Sequence, residues 1–356
     1  MNNKPDQPRT DRLLLEIEHS SIIPMLDNCQ KLLRCCLTED LLLRVLDHDT
    51  YNFEFSRYDG MISKAEYKEY FLNFPDIEEK SITNPGLKAH HIYYQHLFDN
   101  LELYKTRARE LSSKLEQVDF SRQIALARKG LPDELNMPVL RYHFSIGIGP
   151  SFGYVFKNGM HFDFLHIVRD DISPEILGAT IAHETHHVGM NVLFDNLNFE
   201  QLSLEEQFYL FFAGEGLAVK YCNNAQGVIS CAINEGPTNI GLDHFSWEYL
   251  NNDFDNTMAQ FQETLRKIRN HEIDSSEKLH HHIRNYWMKS HTESQQPEEI
   301  PGLQQFRLYS LGNDIWGVIH DSFGKEVVYE TINNPQSFPE IFNQAVRNIG
   351  REELQI

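Results

Sequence analysis

The spacing of apolar residues divides the chain into a helical beginning, a short β region and a helical remainder. Apolar residues recur three and four positions apart through the first 130 residues, as in "RLLLEIEHSSIIPMLDNCQKLLRCCLTEDLLLRVL", which predicts helices. Strict alternation in "PVLRYHFSIGIG" and "FGYVFKNGMHFDFLHIV" predicts a small antiparallel sheet at about 139–168, with Asn158-Gly159 as a hairpin turn. The predicted fold class is therefore α+β and mostly helical.

Helices return after the sheet, and two of them carry start signals. Ser173 and Pro174 precede "EILGATIAHETHHVGMNVLF" as an N-cap and a first helical residue. Ser203 and Glu206 have the spacing of a capping box at the start of "LSLEEQFYLFFAGEGLAVKYCNN". The polar, proline-containing "HTESQQPEEIPG" is typical of an exposed loop.

Composition narrows the class of protein. The chain of 356 residues has 32 basic and 52 acidic residues and a formal net charge of −20, which disfavours nucleic-acid binding because phosphates are bound mainly by Lys and Arg. The polar, mixed-charge residues 1–12 predict no secretory signal, and the sequence has no apolar run of the roughly 18 residues needed to span a bilayer. The five cysteines suggest no disulfide framework, so we expect reduced thiols in a cytoplasmic protein, with Cys35 and Cys36 in the core.

The stretch "IAHETHHVGM", residues 181–190, carries the strongest chemical signal. On a helix, His183 and His187 lie one turn apart on the same face, where both imidazoles can bind one metal ion. Glu184 lies beside the first histidine, where it can take a proton from a water molecule on that ion. A solvated helix face rich in histidine is the alternative, but the surrounding residues are mostly apolar. The pattern H-E-x-x-H therefore predicts a hydrolytic zinc site.

A third protein ligand is required, and "FFAGEGLAVKY" offers Glu215 within an apolar helix. The alternative is a structural glutamate paired with a base such as Lys220. Gly214 and Gly216 reduce helix propensity on both sides of Glu215, which favours a position where another helix or a ligand approaches closely.

The ligand pattern has a family resemblance. H-E-x-x-H followed on a later helix by a glutamate ligand resembles the gluzincin metallopeptidases, and "HETHH" followed by "GEGLA" is similar to an uncharacterised bacterial family of zinc-dependent peptidases. The resemblance extends over roughly 135–345 and implies that His183, His187 and Glu215 are zinc ligands and Glu184 the base. Unlike the thermolysin-like branch, the chain has Gly214 before Glu215 and no acid four residues later, so the partner that orients the first histidine is not identified.

The resemblance also implies an oxyanion donor from the C-terminal half, for which Tyr309 is the candidate. The competing histidines in that half are His244, His320 and His280 to His282. His186 is either a residue that orients a ligand or a packed histidine, and Asp163 is a candidate hydrogen-bond partner of a ligand imidazole. In zincins an edge strand pairs with extended substrate, and "GYVFKNG" or "HFDFLHIV" is the candidate strand.

These observations predict a zincin-like fold in which a helical N-terminal region, 1–135, precedes a catalytic domain, 136–356. Within that domain the small antiparallel sheet leads to the active-site helix and a helical C-terminal half. The predicted function is zinc-dependent hydrolysis of a peptide or protein substrate, with Glu184 activating the attacking water and no nucleic-acid or membrane partner. The alternatives are a zinc amidohydrolase acting on a non-peptide substrate and a zincin-fold binding or regulatory protein with little turnover.

Overall fold

Helices form most of the chain, as the apolar spacing predicts. The computed structural model describes residues 15–157, 159–288, 303 and 305–356, so Asn158 and the predicted loop at 291–302 lie outside the described residues. In chain order the elements are β1 (Leu15–Glu18), α1 (Ile22–Leu33), α2 (Glu39–Leu46), α3 (Asp49–Arg57), α4 (Lys64–Leu72), α5 (Pro85–Asp99), α6 (Leu101–Gln117), α7 (Phe120–Lys129), β2 (Leu140–Ser145), β3 (Gly153–Phe156), β4 (Gly159–Asp163) and α8 (Phe164–Arg169). They continue with α9 (Pro174–Phe194), α10 (Leu204–Cys222), α11 (His244–Asn252), α12 (Phe254–Arg269), α13 (Ser276–His282), a π-helical turn (Ile283–Trp287), α14 (Arg307–Phe323), α15 (Lys325–Asn333) and α16 (Phe338–Asn348).

The four strands form one mixed sheet in the order β1-β2-β4-β3. The predicted hairpin is confirmed, because β3 and β4 pair antiparallel. The prediction of a wholly antiparallel sheet is wrong, since β2 pairs parallel with both β1 and β4. The turn signal between β3 and β4 is local in sequence, whereas the direction of β2 beside β4 depends on the path of the chain between them.

Two further expectations about short segments are wrong. Residues Leu15–Glu18, expected in a helix, form edge strand β1, and their apolar side chains Leu15 and Ile17 remain partly exposed. "HFDFLHIV" is not an edge strand, because β4 lies between β2 and β3 and the chain enters α8 at Phe164. Of the two candidate segments, only the one containing β3 lies at an edge of the sheet.

Cys35 and Cys36 are exposed and not in the core, as had been expected. They follow the end of α1, where Cys35 has a positive φ of 53° and the amide of Cys36 donates to the carbonyl of Lys31 at 2.9 Å. These residues form the turn that ends the helix, so their side chains project outward. All five cysteines are free.

The chain forms two compact units that alternate along the sequence. Unit 1 contains residues 1–113 and 137–172, and unit 2 contains residues 114–136 and 173–356. The sheet belongs to unit 1, and strand β4 of this sheet is buried along its whole length. In the same unit α5 packs against α8. The predicted division into 1–135 and 136–356 concerns catalysis and stays a prediction. No helix among the described residues has the length and apolar character needed to cross a membrane.

Unit 2 is built around α10, which packs against both α9 and α14. Its buried aromatic side chains come from several helices, namely Phe208, Phe212, Phe261, Trp287, Trp316 and Phe338. This arrangement places the long helix α9, which carries the H-E-x-x-H pattern, beside the helix that carries Glu215.

Two glycines allow α10 and α14 to approach closely. A Cβ atom on Gly216 would lie 2.2 Å from the carbonyl carbon of Gly312, and one on Gly312 would lie 2.6 Å from the carbonyl oxygen of Phe212. The expectation that a glycine beside Glu215 permits close helix approach is confirmed for Gly216. It is not met at Gly214, where a Cβ atom would have no neighbour within 4 Å.

The two glycines beside Glu215 therefore predict opposite effects of alanine. Gly216→Ala should destabilise unit 2 by about 1–3 kcal/mol because backbone of α14 must move. Gly214→Ala, the matched control on the same helix, should leave stability unchanged or raise it by up to about 1 kcal/mol through helix propensity. Thermal and denaturant unfolding would measure both, and equal stability of the two variants would contradict the close contact.

Candidate metal centre

Helix α9 presents His183 and His187 on one face, as the pattern predicts. The helix begins as expected, since Ser173 accepts a hydrogen bond from the amide of Ile176 at 3.2 Å and Pro174 is the first helical residue. The Nε2 atoms of His183 and His187 lie 3.0 Å apart, and their ring centroids lie 4.7 Å apart. Both imidazoles therefore direct the same nitrogen to the same point.

Glu215 reaches that point from α10. Its Oε2 atom lies 3.1 Å from Nε2 of His183 and 3.1 Å from Nε2 of His187. The predicted capping box at the start of α10 is confirmed by the paired hydrogen bonds of Ser203 and Glu206. The three side chains form a group in which one nitrogen or oxygen from each lies within 4.8 Å of the others.

Glu215 does not form the alternative ion pair with Lys220. The Nζ atom of Lys220 lies 2.8 Å from Oδ1 of Asp321 and donates to the carbonyl of Cys231 at 2.8 Å. Since Lys220 is fully buried and directed to these partners, the carboxylate of Glu215 is left to the two histidines.

Asn223, at the end of α10, orients the first histidine. Its Nδ2 group donates to the carbonyl of Ile240 at 2.7 Å, so its Oδ1 atom is the acceptor that lies 2.9 Å from Nδ1 of His183. The Nδ1 atom of His183 therefore donates to Asn223, and its Nε2 atom is left to face Glu215 at 3.1 Å. A histidine held in this way presents Nε2 to a metal ion.

The charges in the group depend strongly on one another. Burial by itself opposes protonation of His187, but the Glu215 carboxylate raises the pKa of this histidine to about 9. Burial likewise opposes ionisation of Glu215, yet the two histidines hold the pKa of its carboxyl far below the usual range. Without metal the group is thus an imidazolium–carboxylate pair, and a metal ion would replace the proton.

Glu184 lies beside this group and is buried, with 8% of its surface exposed. Burial raises the pKa of its carboxyl, while the neighbouring His187 and His183 lower that pKa and Glu215 raises it further. Glu184 is therefore within electrostatic reach of all three candidate ligands without belonging to the group that converges on one point.

Tyr309 comes from α14 to the same place. Its ring stacks on that of His183, with centroids 6.1 Å apart and planes 13° apart. Burial and the charges of Glu215 and Glu184 raise the pKa of Tyr309 well above its usual value, and its side chain is hydrogen-bonded to Glu215. The hydroxyl therefore remains protonated and able to donate.

The competing histidines lie in other surroundings. His244 is almost fully exposed, 3.9 Å from Glu248, and His320 packs against Tyr221 and Asp321. Of the run His280 to His282, His280 and His281 are exposed and His282 bonds to Thr264.

His186 and Asp163, the two candidates for orienting a ligand, have other contacts. His186 is fully buried, and its ring stacks against Tyr221 with centroids 5.7 Å apart and has Nε2 3.5 Å from the hydroxyl of Tyr329, so it is a packed histidine. Asp163 belongs to unit 1, where its Oδ1 atom accepts from the amides of Gly147 and Leu165. The orienting partner of His183 is Asn223 instead.

Comparison with known proteins identifies the family. Residues 44–350 match the family described as "Putative zinc dependent peptidase (DUF5700)". The chain belongs to this family. No curated protein and no solved structure matches the chain significantly. The match covers most of the chain, including all the candidate residues of the metal centre, and the family description confirms both the suspected resemblance and zinc as the cofactor.

The residues present fit the zinc of this peptidase family. Two imidazoles and one carboxylate are a ligand set used in hydrolytic zinc sites. Because Nδ1 of His183 is bonded to Asn223, its Nε2 atom faces Oε2 of Glu215 at the point where a cation would bind. His183 and His187 would supply ring nitrogens and Glu215 a carboxylate oxygen.

Asn223 is the residue of the centre that sequence reasoning missed. It lies eight residues after Glu215, about two helical turns along the same helix, so it lies roughly on the same side. The signal was therefore in "GEGLAVKYCNN", but no local rule connects an asparagine at a helix end with a histidine on another helix.

Asn223 is expected to act on metal affinity through His183. Asn223→Ala should weaken zinc binding by roughly 10- to 100-fold because the imidazole loses the partner that fixes its tautomer. Asn223→Asp should recover most of the affinity, because the carboxylate still accepts a hydrogen bond from Nδ1 of His183. This variant loses only the hydrogen bond to the carbonyl of Ile240. Zinc dissociation constants from chelator competition would measure this. An equal loss in both variants would mean that Asn223 acts only by holding the loop at Ile240.

Proposed function

We propose that the chain is a gluzincin-type zinc peptidase whose catalytic centre consists of His183, His187, Glu215, Glu184 and Tyr309. The main support is the convergence of two histidine nitrogens and one glutamate oxygen at 3.0 to 3.1 Å, beside a buried glutamate that is not part of the ligand group. The family description supports a peptide or protein as the substrate.

Each residue has a distinct part in the proposed reaction. His183, His187 and Glu215 would hold the zinc ion, which would polarise the substrate carbonyl and lower the pKa of a bound water molecule toward about 7. Glu184 takes a proton from the attacking water and returns it to the leaving amine, so that the carbonyl carbon gains an oxygen while the C–N bond breaks. Asn223 keeps the imidazole of His183 in the tautomer that leaves Nε2 free.

Tyr309 is the proposed donor to the oxyanion that forms on the substrate. Its ring is fixed against His183, and its hydroxyl lies beside Glu215, so it is close to the point where the substrate carbonyl would bind. A neutral phenol there stabilises negative charge by donating a hydrogen bond.

The proposal extends to the wider fold and the cellular location. We propose that residues 136–356 act as a zincin-like catalytic domain, on the basis that the H-E-x-x-H helix is followed by the helix of the third ligand. A cytoplasmic location is supported by the five free cysteines.

The same substitution at two glutamates separates the base from the ligand. Glu184→Gln should retain the metal content of the parent and lose several orders of magnitude in turnover, because both proton transfers lose their carrier. Glu215→Gln, the matched control, should lose zinc because it removes a ligand charge. Metal analysis and hydrolysis of a peptide library would be measured on the same preparations, with chelation and zinc restoration of the parent.

Several results would contradict the proposed function. Zinc loss in Glu184→Gln would make Glu184 a ligand, and undiminished turnover would place catalysis elsewhere. A parent that leaves every peptide intact but hydrolyses a non-peptide amide in a zinc-dependent manner would identify an amidohydrolase. A zinc-loaded parent with no turnover on either would favour a binding protein.

The oxyanion role predicts a loss of rate without a loss of metal. Tyr309→Phe keeps the ring against His183 and removes only the hydroxyl, so kcat should fall by roughly 100- to 1,000-fold at unchanged zinc content. Tyr249→Phe is the control, since this half-buried tyrosine of α11 stacks on Phe245. If Tyr309→Phe and Tyr249→Phe had the same kcat as the parent, another group would have to stabilise the oxyanion.

A further inference from the structure

Unit 1 contains a second group of side chains with metal-binding chemistry, formed by His90, Asp163 and His166. His90 lies on α5, Asp163 ends β4 and caps α8, and His166 lies one turn into α8. The group shares no residue with the centre formed by His183, His187 and Glu215, and it belongs to the other compact unit.

The three side chains converge on one oxygen atom. Oδ2 of Asp163 lies 3.3 Å from Nε2 of His90 and 3.8 Å from Nε2 of His166. One nitrogen or oxygen atom from each of the three residues lies within 4.8 Å of the other two. Neighbouring ligand atoms around a tetrahedral zinc ion lie roughly 3.3 Å apart, from bonds of about 2.0–2.1 Å, so the group has nearly the spacing that a zinc ion requires.

These side chains are buried and lack ordinary hydrogen bonds at the point of convergence. His90 is 1% exposed, Asp163 0% and His166 8%. Neither ring nitrogen of His90, nor Nε2 of His166, nor Oδ2 of Asp163 has a hydrogen-bond partner of normal geometry. Buried polar atoms of this kind are costly unless a partner satisfies them, and one cation among them would satisfy one atom from each side chain.

The other atoms of Asp163 and His166 have neighbours of their own. Oδ1 of Asp163 accepts hydrogen bonds from the amides of Gly147 and Leu165 at 2.9 and 2.8 Å, which leaves Oδ2 as the free acceptor. The carboxylate of Asp170 lies 3.5 Å from Nδ1 of His166, while Nε2 of the same ring faces Oδ2 of Asp163. A cation bound at Nε2 and Oδ2 would satisfy these two buried atoms.

The backbone admits the carboxylate because residue 147 is glycine. A Cβ atom at Gly147 would lie 2.7 Å from Cγ of Asp163 and 2.9 Å from its Oδ2 atom. The carboxylate is therefore held against the backbone after β2 and directed toward the histidines. Burial raises the pKa of Asp163 to about 6 although the nearby His166 and two backbone amides lower it, which indicates that the described neighbours compensate its charge incompletely.

We propose that His90, Asp163 and His166 bind a divalent transition-metal ion, zinc by preference, as a second metal site with a structural role. Two imidazoles and one carboxylate suit zinc, and zinc is the metal of the family. The site joins α5 to the end of β4 and the start of α8, so bound metal stabilises the packing of a helix against the sheet. The alternative is a buried cluster held together by a shared proton, without metal.

The test counts metal ions in a chain that lacks the other centre. The variant His183→Ala/His187→Ala would be purified, unfolded with a chelator and refolded with zinc or with cobalt, since a buried site exchanges slowly. We expect about one tightly bound zinc ion per chain, and for cobalt the visible absorption of a coordinated ion. His90→Gln or His166→Gln in the same background should abolish both signals.

His91→Gln is the matched control, because His91 is the next residue of α5, is also buried, and is bonded through Nδ1 to the hydroxyl of Tyr70 at 2.9 Å. This variant should keep the metal ion. The intact parent supplies an independent measurement, with about two ions expected per chain and about one after His90→Gln. That loss should leave peptide hydrolysis intact if the proposed function is right, so the two proposals fail separately.

Specific results would overturn the second site. A folded His183→Ala/His187→Ala chain that binds no zinc would do so, as would a parent whose zinc content is the same before and after His90→Gln. Equal metal content in His90→Gln and His91→Gln would show that His90 does not bind the ion. A thermal midpoint that rises with zinc in the His183→Ala/His187→Ala chain, but not after His90→Gln, would support the structural role.

Discussion

The convergence of two imidazoles and one carboxylate on a single point is the constraint around which unit 2 is organised. The Nε2 atoms of His183 and His187 and the Oε2 atom of Glu215 lie 3.0 to 3.1 Å from one another. Such atoms remain together only with a cation among them, and the surrounding helices must hold them in place whether that cation is a proton or a metal ion. The packing of α10 against both α9 and α14 supplies this rigidity.

Several contacts of α10 serve this arrangement together. Gly216 lets α14 approach closely, which brings Tyr309 to the centre. Lys220 is neutralised by Asp321 and so does not compete for the carboxylate of Glu215. Asn223 ends the helix and fixes the tautomer of His183. Helix α10 therefore provides the candidate ligand Glu215 and the hydrogen-bond partner of His183, and it carries a lysine whose charge is directed away from Glu215.

The two groups in units 1 and 2 follow the same physical logic. In each, an oxygen atom lies beside Nδ1 of one histidine, Oδ1 of Asn223 beside His183 and Oδ2 of Asp170 beside His166, and Nε2 of that histidine faces a carboxylate. They differ in access, because Glu215 and His187 are only partly buried whereas the group around Asp163 is buried throughout. An accessible group suits catalysis, and an enclosed group suits a structural ion.

The sequence by itself determined what depends on helix geometry and local capping. The four-residue spacing of His183 and His187 places both on one face of any helix, and Ser173 and Ser203 begin their helices through bonds to residues three positions away. Glu215 was predicted as a ligand from the sequence because an unpaired carboxylate in an apolar helix costs free energy. The tertiary structure alone decided the parallel pairing of β2, the partner of His183 and the meeting of His90 with Asp163 and His166. These depend on contacts between residues far apart in the chain, and such contacts arise from the packing of whole elements, which no local pattern encodes.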